Sequence, residues 1–265
     1  MEENKFLLLG VKSRYNREKG GNAAMRKSLK IVDKMVILLF SLSFILTTAF
    51  VSIIPIASNN AYYLLQFEKN GIGQNLNYTI DQLKEITAAI TGYMFHGKNS
   101  MQVYFDGKAV FSDQAISHMA DVKVLFVGGT ILGYISLILF LVSLIYLVFR
   151  RKEVKRHFRR INYCVFLCFM ILVVAVAIYA FVDFDSAFVN FHHLIFPDPE
   201  KFDNAFFPND DTLINILTMD FFFDVFLNVV IRIAAIFFVY FFVVQSLYGK
   251  VYAKIKSSFS KKLLR

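Results

Sequence analysis

Four long apolar segments restrict what this chain of 265 residues can fold into. They cover residues 35–58, 124–149, 161–182 and 225–247, and each is long enough to approach or exceed the ~20 residues that cross the hydrocarbon core as a helix. Their apolar residues are continuous, whereas the strands of a membrane β-barrel would alternate. Because lipid offers no partner to backbone polar groups, the segments predict an all-α membrane protein with four transmembrane helices.

Positive charge is distributed unevenly between the segments that join these helices. Lys and Arg number nine in residues 1–34, seven in 150–160 and six in 249–265, but only six in 59–123 and 183–224 together. The positive-inside rule therefore predicts cytoplasmic termini and two outward loops, and the basic excess does not indicate a nucleic-acid partner. The predicted order is a cytoplasmic basic arm (1–34), a first span (35–58), a first extracytoplasmic loop (59–123), a second span (124–149), a cytoplasmic loop (150–160), a third span (161–182), a second extracytoplasmic loop (183–224), a fourth span (225–247) and a cytoplasmic basic tail (248–265).

The first outer loop carries signals for structure of its own. Thr79 followed three residues later by Gln82 fits a capping box, and the apolar residues that follow recur at helical spacing, which predicts a helix over roughly 80–95. Asp106-Gly107 lies between two β-prone runs and predicts a hairpin with a type I′ turn. An extracytoplasmic cap of short helices and a small β-hairpin is therefore expected.

A titratable side chain follows this hairpin, at the edge of the lipid. Ser112 precedes Asp113 and is suited to cap a helix that carries His118 and continues into the second span. His118 is thereby expected in the first turns of a membrane helix.

The second outer loop, residues 183–224, alternates phenylalanine with acidic residues. It is too apolar for a free loop and too charged for a span, so an interfacial or re-entrant segment is expected. Phe188, His192 and Phe196 share one helix row, and two prolines should end that helix. A second short helix is expected over 212–219, opened by one of the two aspartates before it.

Histidines in both outer loops are candidates for chemistry. His118 and His192, or its neighbour His193, are expected beside apolar surface at membrane depth, where ionisable residues are costly. They are either interfacial histidines with polar tips among the headgroups or a pair that works as acid and base. The chain lacks G-x-S-x-G and H-E-x-x-H motifs. Two histidines with Asp121 could bind a metal, but no ligand spacing demands one. A substrate that brings its own nucleophile, as in acyl transfer from a lipid, would suit such a site.

Arg232 lies in the middle of the fourth span. An unpaired guanidinium in lipid costs at least ~2.5–3.5 kcal/mol, so Arg232 should face the bundle interior, a carboxylate or a lipid phosphate. Asp224 is eight residues earlier on the same helix and would need another group to bridge the gap. Structural and functional interpretations of Arg232 both remain open.

The two histidine stretches together resemble the bacterial lipoprotein intramolecular transacylase family. The matching motifs are H-x-x-D-V-K at 118–123, F-H-x-x-x-F at 191–196 and F-P-x-x-D-x-L-I at 207–214. The resemblance covers about residues 100–225 and the order of the spans. The chain departs from the family pattern in lacking Trp, and in having His193 directly after the F-H pair.

The resemblance implies a function. A cofactor-free N-acyltransferase in the bacterial plasma membrane would move the sn-2 acyl chain of an S-diacylglyceryl-cysteine lipoprotein to its own α-amine, with the site on the extracytoplasmic side. The expected partners are diacylated lipoproteins and membrane lipid. The rival hypothesis is a non-enzymatic four-span protein that binds lipid or a partner through its Phe-rich loop. The implied catalytic pair is His118 and His192, and the expected substrate contacts are Asp121, Lys123, Phe191 and Arg232.

Overall fold

The computed structural model describes residues 2–203 and 205–263, and for residues 2–29, 152–153 and 244–263 it describes the backbone alone. Helices dominate this part of the chain, with one small sheet. In chain order the elements are α1 (Glu2–Ala57), α2 (Asn60–Lys69), α3 (Ile72–Asn75), α4 (Ile80–Phe95), β1 (Tyr104–Phe105), β2 (Lys108–Ala109), α5 (Asp113–Phe149), α6 (Arg151–Val182), α7 (Phe184–Ile195), α8 (Pro199–Asp203), α9 (Thr212–Ile216) and α10 (Met219–Leu263).

Four of the described helices are long and apolar enough to cross a membrane. The stretches that qualify are Lys30–Ala57 in α1, Asp113–Phe149 in α5, Val154–Val182 in α6 and Met219–Val243 in α10. The prediction of an all-α membrane protein with four transmembrane helices and a small antiparallel sheet is thereby confirmed. Each apolar stretch continues as helix into flanking polar residues, because a helix supplies its own backbone hydrogen bonds in either solvent.

Contacts within the chain divide it into two compact units. The first contains Met1–Thr47 and Tyr134–Ile171, and the second contains Thr48–Gly133 and Leu172–Arg265. Both candidate histidines belong to the second unit.

A partly buried ion pair joins α1 to Arg150, the residue between α5 and α6, in the first unit. The Asp33 carboxylate accepts hydrogen bonds from Arg150 Nε at 3.2 Å and Nη2 at 3.0 Å, and from the Tyr146 hydroxyl at 2.8 Å. Two donors on a planar fork fix the geometry of this pair, and the third bond satisfies a carboxylate that is almost fully buried. Asn162 of α6 donates to the Ser41 hydroxyl at 3.0 Å and so links α6, the third span, to α1.

The core of the second unit is built around α4. Thr79 and Gln82 form the expected capping box, with the Gln82 amide donating to Thr79 Oγ1 at 3.3 Å and the Thr79 amide donating to Gln82 Oε1 at 2.8 Å. On α4 the apolar residue Ile80 is exposed, whereas Leu83, Ile86 and Ile90 are buried on one face of the helix. This face packs in one cluster with apolar side chains of α2, α3, α5, α9 and α10.

The hairpin and the later short helices agree with the sequence expectations. Asp106 and Gly107 both have positive φ, 51° and 76°, as a type I′ turn requires, and β1 pairs antiparallel with β2. The helix that was expected to stop before the prolines is α7, which ends at Ile195. The second expected helix, α9, is opened by Asp211 and ends earlier than predicted, at Ile216.

Candidate active site

One carboxylate joins the beginning of α5, which carries His118, to the beginning of α9. Ser112 caps α5, since its hydroxyl oxygen accepts the Ala115 amide at 3.0 Å. The same hydroxyl donates to Asp211 Oδ2 at 2.6 Å, while Asp211 Oδ1 accepts the Leu213 amide at 2.8 Å and caps α9. The position from which α5 starts, and hence the position of His118, is therefore tied to α9.

The second histidine lies on α7, which is separated from α6 by the single residue Asp183. Asp183 caps α7 by accepting the Ser186 amide at 3.0 Å. His192 lies in the last turn, on the row that faces inward, and is 8% exposed. His193 is turned about 100° around the helix from His192, is exposed, and stacks against the ring of Phe202. The structure thus separates two neighbouring histidines that the sequence left open.

His118 and His192 face each other inside a phenylalanine enclosure. Their ring centroids are 6.2 Å apart with an interplanar angle of 26°, and each residue is only 8% exposed. In the described part of the chain, rings whose centroids lie within 6.3 Å of one or both imidazoles are those of Phe188, Phe191, Phe196, Phe206 and Phe207.

The tautomer of His192 follows from its hydrogen bond. Nδ1 of His192 lies 2.8 Å from the carbonyl oxygen of Phe188, and a carbonyl oxygen only accepts. The proton of this bond therefore belongs to Nδ1, and Nε2 of the neutral ring keeps its lone pair. Burial lowers the pKa of His192 below its usual range, with the Phe188 carbonyl opposing that shift. His192 is consequently neutral at pH 7 and able to accept a proton at Nε2.

Two of the residues expected to contact substrate interact with other groups of the protein. Asp121, one turn after His118 on α5, pairs with Lys201 of α8. Lys123 lies 3.9 Å above the centre of the Tyr93 ring and donates to the backbone carbonyl of Lys98 at 3.2 Å. The structure therefore brings Asp121 close to the histidine site but directs Lys123 toward the end of α4.

The other two expected contacts lie on the surface of the second unit. Phe191 is 55% exposed, and its ring is nearly perpendicular to that of His192, with 5.7 Å between the centroids. Arg232 is also exposed, and among the described residues no carboxylate lies within ion-pair distance of it. Asp224, the nearest acid on the same helix, pairs instead with Lys69 of α2. Of the environments expected for Arg232, a carboxylate partner in the described part of the chain is thus excluded.

A family profile decides which protein class has this arrangement. The model of the family described as lipoprotein intramolecular transacylase Lit matches residues 37–222. The chain belongs to this family. The matched range includes both histidines and nearly all of the first three spans, and it ends at the beginning of the fourth. The resemblance drawn from short motifs is confirmed, and the protein is a membrane transacylase, so the rival hypothesis of a non-enzymatic protein is not favoured.

Solved structures agree with this fold. The membrane integral lipoprotein intramolecular transacylase Lit from Bacillus cereus is 18% identical, with 83% of this chain and 99% of that chain covered and a TM-score of 0.66. A structure of the same Bacillus cereus protein with a histidine mutated to alanine gives 18% identity, coverages of 84% and 97%, and a TM-score of 0.66. At 18% identity, the structural similarity shows that this chain shares the fold of the Bacillus cereus protein. No curated protein has a significant sequence match to the chain.

The residues that sequence reasoning missed are those that join distant segments. Asp211 was one of two aspartates expected to open a helix, but its bond to Ser112 was not foreseen. Lys201 was not among the candidates, and neither were Phe206 and Phe207. For the two phenylalanines the sequence signals were the density of phenylalanine after the two prolines and, for Phe207, its place in the F-P-x-x-D-x-L-I motif.

Proposed function

We propose that this transacylase moves the sn-2 acyl chain of an S-diacylglyceryl-cysteine lipoprotein to the α-amine of the same cysteine, leaving the lyso-form. We further propose that it works in the bacterial cell membrane with its site on the extracytoplasmic side. The charge distribution supports this orientation, because the histidine-bearing loops hold few of the basic residues. The observation that carries the proposal is the buried pair of facing imidazoles, one with a free Nε2 lone pair.

His192 is the proposed base. Nε2 takes a proton from the α-amine as the nitrogen attacks the sn-2 ester carbonyl, and a nitrogen–carbon bond forms. When the tetrahedral intermediate collapses, the bond from carbon to the glyceryl oxygen breaks. His192 then returns its proton to that oxygen, which becomes the free hydroxyl of the lyso-lipid. No net proton is consumed, so a neutral buried base is regenerated after each turnover.

His118 is the proposed stabiliser of the oxyanion. A neutral imidazole has one N–H, and in the described part of the chain neither ring nitrogen of His118 has a hydrogen-bond partner. That N–H is available to the oxygen of the tetrahedral intermediate. An N–H donor directed at developing charge in a dry site is worth far more than in water. The surrounding phenylalanine rings supply the low-polarity environment.

The substrate supplies much of the positioning itself. Amine and ester belong to one molecule, so their encounter does not require two separate binding events. Phe191 and Arg232 are proposed as contacts for the acyl chains and for ester oxygens, since Arg keeps its proton and can only donate. The substrate contacts predicted for Asp121 and Lys123 stay predictions.

Lipidated-peptide mass spectrometry on cells with and without the protein tests the proposal. The protein should convert the diacyl form into an N-acylated lyso-form of equal mass, distinguished by fragmentation at the cysteine. His118→Ala and His192→Ala should each abolish the product while the protein level stays near normal. A residual rate reduced by only a few fold would contradict direct roles, since one general base is worth ~10²–10⁴-fold.

His193→Ala is the matched control. It removes the same side chain one position along α7, from an exposed site, and should keep most of the activity. Loss of activity in this variant with survival in His192→Ala would reverse the assignment of the base.

A further inference from the structure

The histidine pair is closed to a substrate in this structure. Both residues are 8% exposed, and their ring centroids are 6.2 Å apart. If the proposed function holds, an ester and an amine must both reach these ring nitrogens. Some part of the enclosure must therefore move during each turnover.

The segment that follows α7 covers the two imidazoles from one side of the enclosure. We call residues 196–203 and 205–208, which include α8, the strap. Two of its rings lie against His118, those of Phe196 at 5.6 Å and Phe207 at 5.5 Å between centroids. The ring of Phe206 lies 6.3 Å from His192. α8 itself has no buried residue, so the apolar surface that a movement of the strap would expose is mainly that of Phe196, which is buried, and of Phe207, which packs against the core.

Among the described residues, an ion pair and a hydrogen bond to a backbone carbonyl join the strap to α5. Lys201 of α8 pairs with Asp121, and Gln114 donates to the Phe206 carbonyl at 2.8 Å. The side chains of Lys201 and Asp121 are 54% and 25% exposed. Ion pairs with this exposure are weak and readily broken. By contrast, α5 is anchored by the buried Asp211 bond and the core.

We propose that the Lys201–Asp121 pair is a latch that holds the strap over the histidines, and that the strap lifts to admit the diacylated substrate. Asp121 is one turn from His118 on the same helix face, so the latch closes directly beside the site. Closure places the Phe206 and Phe207 rings against the imidazoles and excludes water. Lys201 and Asp121 are thus positioning residues, acting on the reaction through the strap. This inference rests on the proposed function of the site.

Histidine accessibility tests the latch without relying on catalysis. Diethyl pyrocarbonate modifies exposed imidazoles, and the rate at each histidine is read by peptide mass spectrometry. In Lys201→Ala the rates at His118 and His192 should rise about two- to fivefold, the range expected for loss of an exposed ion pair. Lys201→Arg retains the pair and should match the wild type. Exposed His96, at the end of α4, is the internal reference. Equal rates in the wild type and Lys201→Ala would overturn the proposal.

A disulfide in place of the latch tests the need for opening. In a Cys164→Ala, Cys168→Ala background, the variant Asp121→Cys, Lys201→Cys should form much less lyso-form after oxidation than after reduction. The two rates are compared within this one variant, so the loss of the Asp121 carboxylate does not enter the comparison. The matched control is Lys69→Cys, Asp224→Cys, which replaces the ion pair between α2 and α10, and its rate should not depend on oxidation.

The outcomes of this experiment separate the two proposals. If the cysteine-free background produces no lyso-form, the proposed function fails. If the reduced latch variant is active and its fully oxidised form is equally active, only the latch is wrong. Failure of the two cysteines to cross-link would also contradict a strap that rests closed on α5.

Discussion

Removing the Asp211 carboxylate should uncouple the beginnings of α5 and α9 and disturb the histidine pair. Asp211→Ala deletes an N-cap, worth ~1 kcal/mol, and a charge-assisted hydrogen bond to Ser112, worth ~1.5–3 kcal/mol. A loss of roughly 2.5–4 kcal/mol in the free energy of unfolding is expected. Ser112→Ala removes the cap of α5 and leaves a mostly buried carboxylate oxygen without its donor, so a loss of about 2–4 kcal/mol is expected.

The two substitutions should not be additive, because both delete one shared bond. The double variant should cost less than the sum of the singles by about 1.5–3 kcal/mol, the value of that bond. Asp211→Asn is the conservative variant. Its amide oxygen can still accept the Leu213 amide and its NH₂ can donate to the Ser112 hydroxyl, so it should recover part of the loss.

Thr79→Ala is the control for this cycle. Thr79 caps α4 in an exposed capping box and should cost about 1 kcal/mol. Unfolding in mixed micelles gives the free energies, and the rate of lyso-form production per folded molecule gives the catalytic effect. Asp211→Ala should lower that rate, since α5 carries His118, whereas Thr79→Ala should not. Additivity of Ser112→Ala and Asp211→Ala within about 0.5 kcal/mol would refute the shared bond.

Three further predictions concern packing, protonation and membrane depth. Gly133→Ala should destabilise the fold by about 1–3 kcal/mol in a thermal melt, because a Cβ there would lie 2.2 Å from a phenylalanine ring carbon, whereas Gly129→Ala has open space and should be neutral or stabilising. The free energy of unfolding of the wild type should fall as pH drops from about 6.5 toward the lowered pKa of His192, since only the unfolded chain binds that proton readily. His192→Gln should lose less free energy of unfolding over this pH range, and an equal pH dependence in the two proteins would contradict the burial argument. The chain has no Trp, so Leu194→Trp is a single reporter that brominated lipid acyl chains should quench, whereas Tyr104→Trp on the hairpin should resist quenching; the reverse order would place α7 away from lipid.

Local features of this fold could be predicted because their causes are local. The capping box at Thr79 and the Asp106-Gly107 turn depend on residues within three or four positions of one another. The row of Phe188, His192 and Phe196 follows from helical periodicity alone, whereas the preference for His192 over His193 came from the family resemblance. Four spans followed from lengths that only a bilayer explains.

Pairings between distant residues could not be predicted. Asp121 had several basic residues in the outer loops as possible partners, and nothing in the sequence selects Lys201 over Lys123. Asp224 was considered beside Arg232, eight residues along one helix, but pairs with Lys69 of α2. Chain order does not encode which of many surface charges approach each other, since exposed pairs add little to stability and leave no periodic trace.

The burial of both imidazoles has a chemical consequence that connects the enclosure to the proposed reaction. An imidazole that can deprotonate an amine can also deprotonate water, and water beside an activated ester would give a free fatty acid instead of an N-acyl chain. In the proposed reaction, the phenylalanine enclosure limits that side reaction by leaving little of either imidazole accessible to water. Its cost is that the site prefers neutral groups, so the substrate amine must arrive uncharged or lose its proton on the way in. A reaction that begins and ends with a neutral base, as proposed here, tolerates this environment. A mechanism with a persistent imidazolium would not tolerate this environment. In the described part of the chain, the carboxylate that could pair with such a cation is that of Asp121, and it is already paired with Lys201.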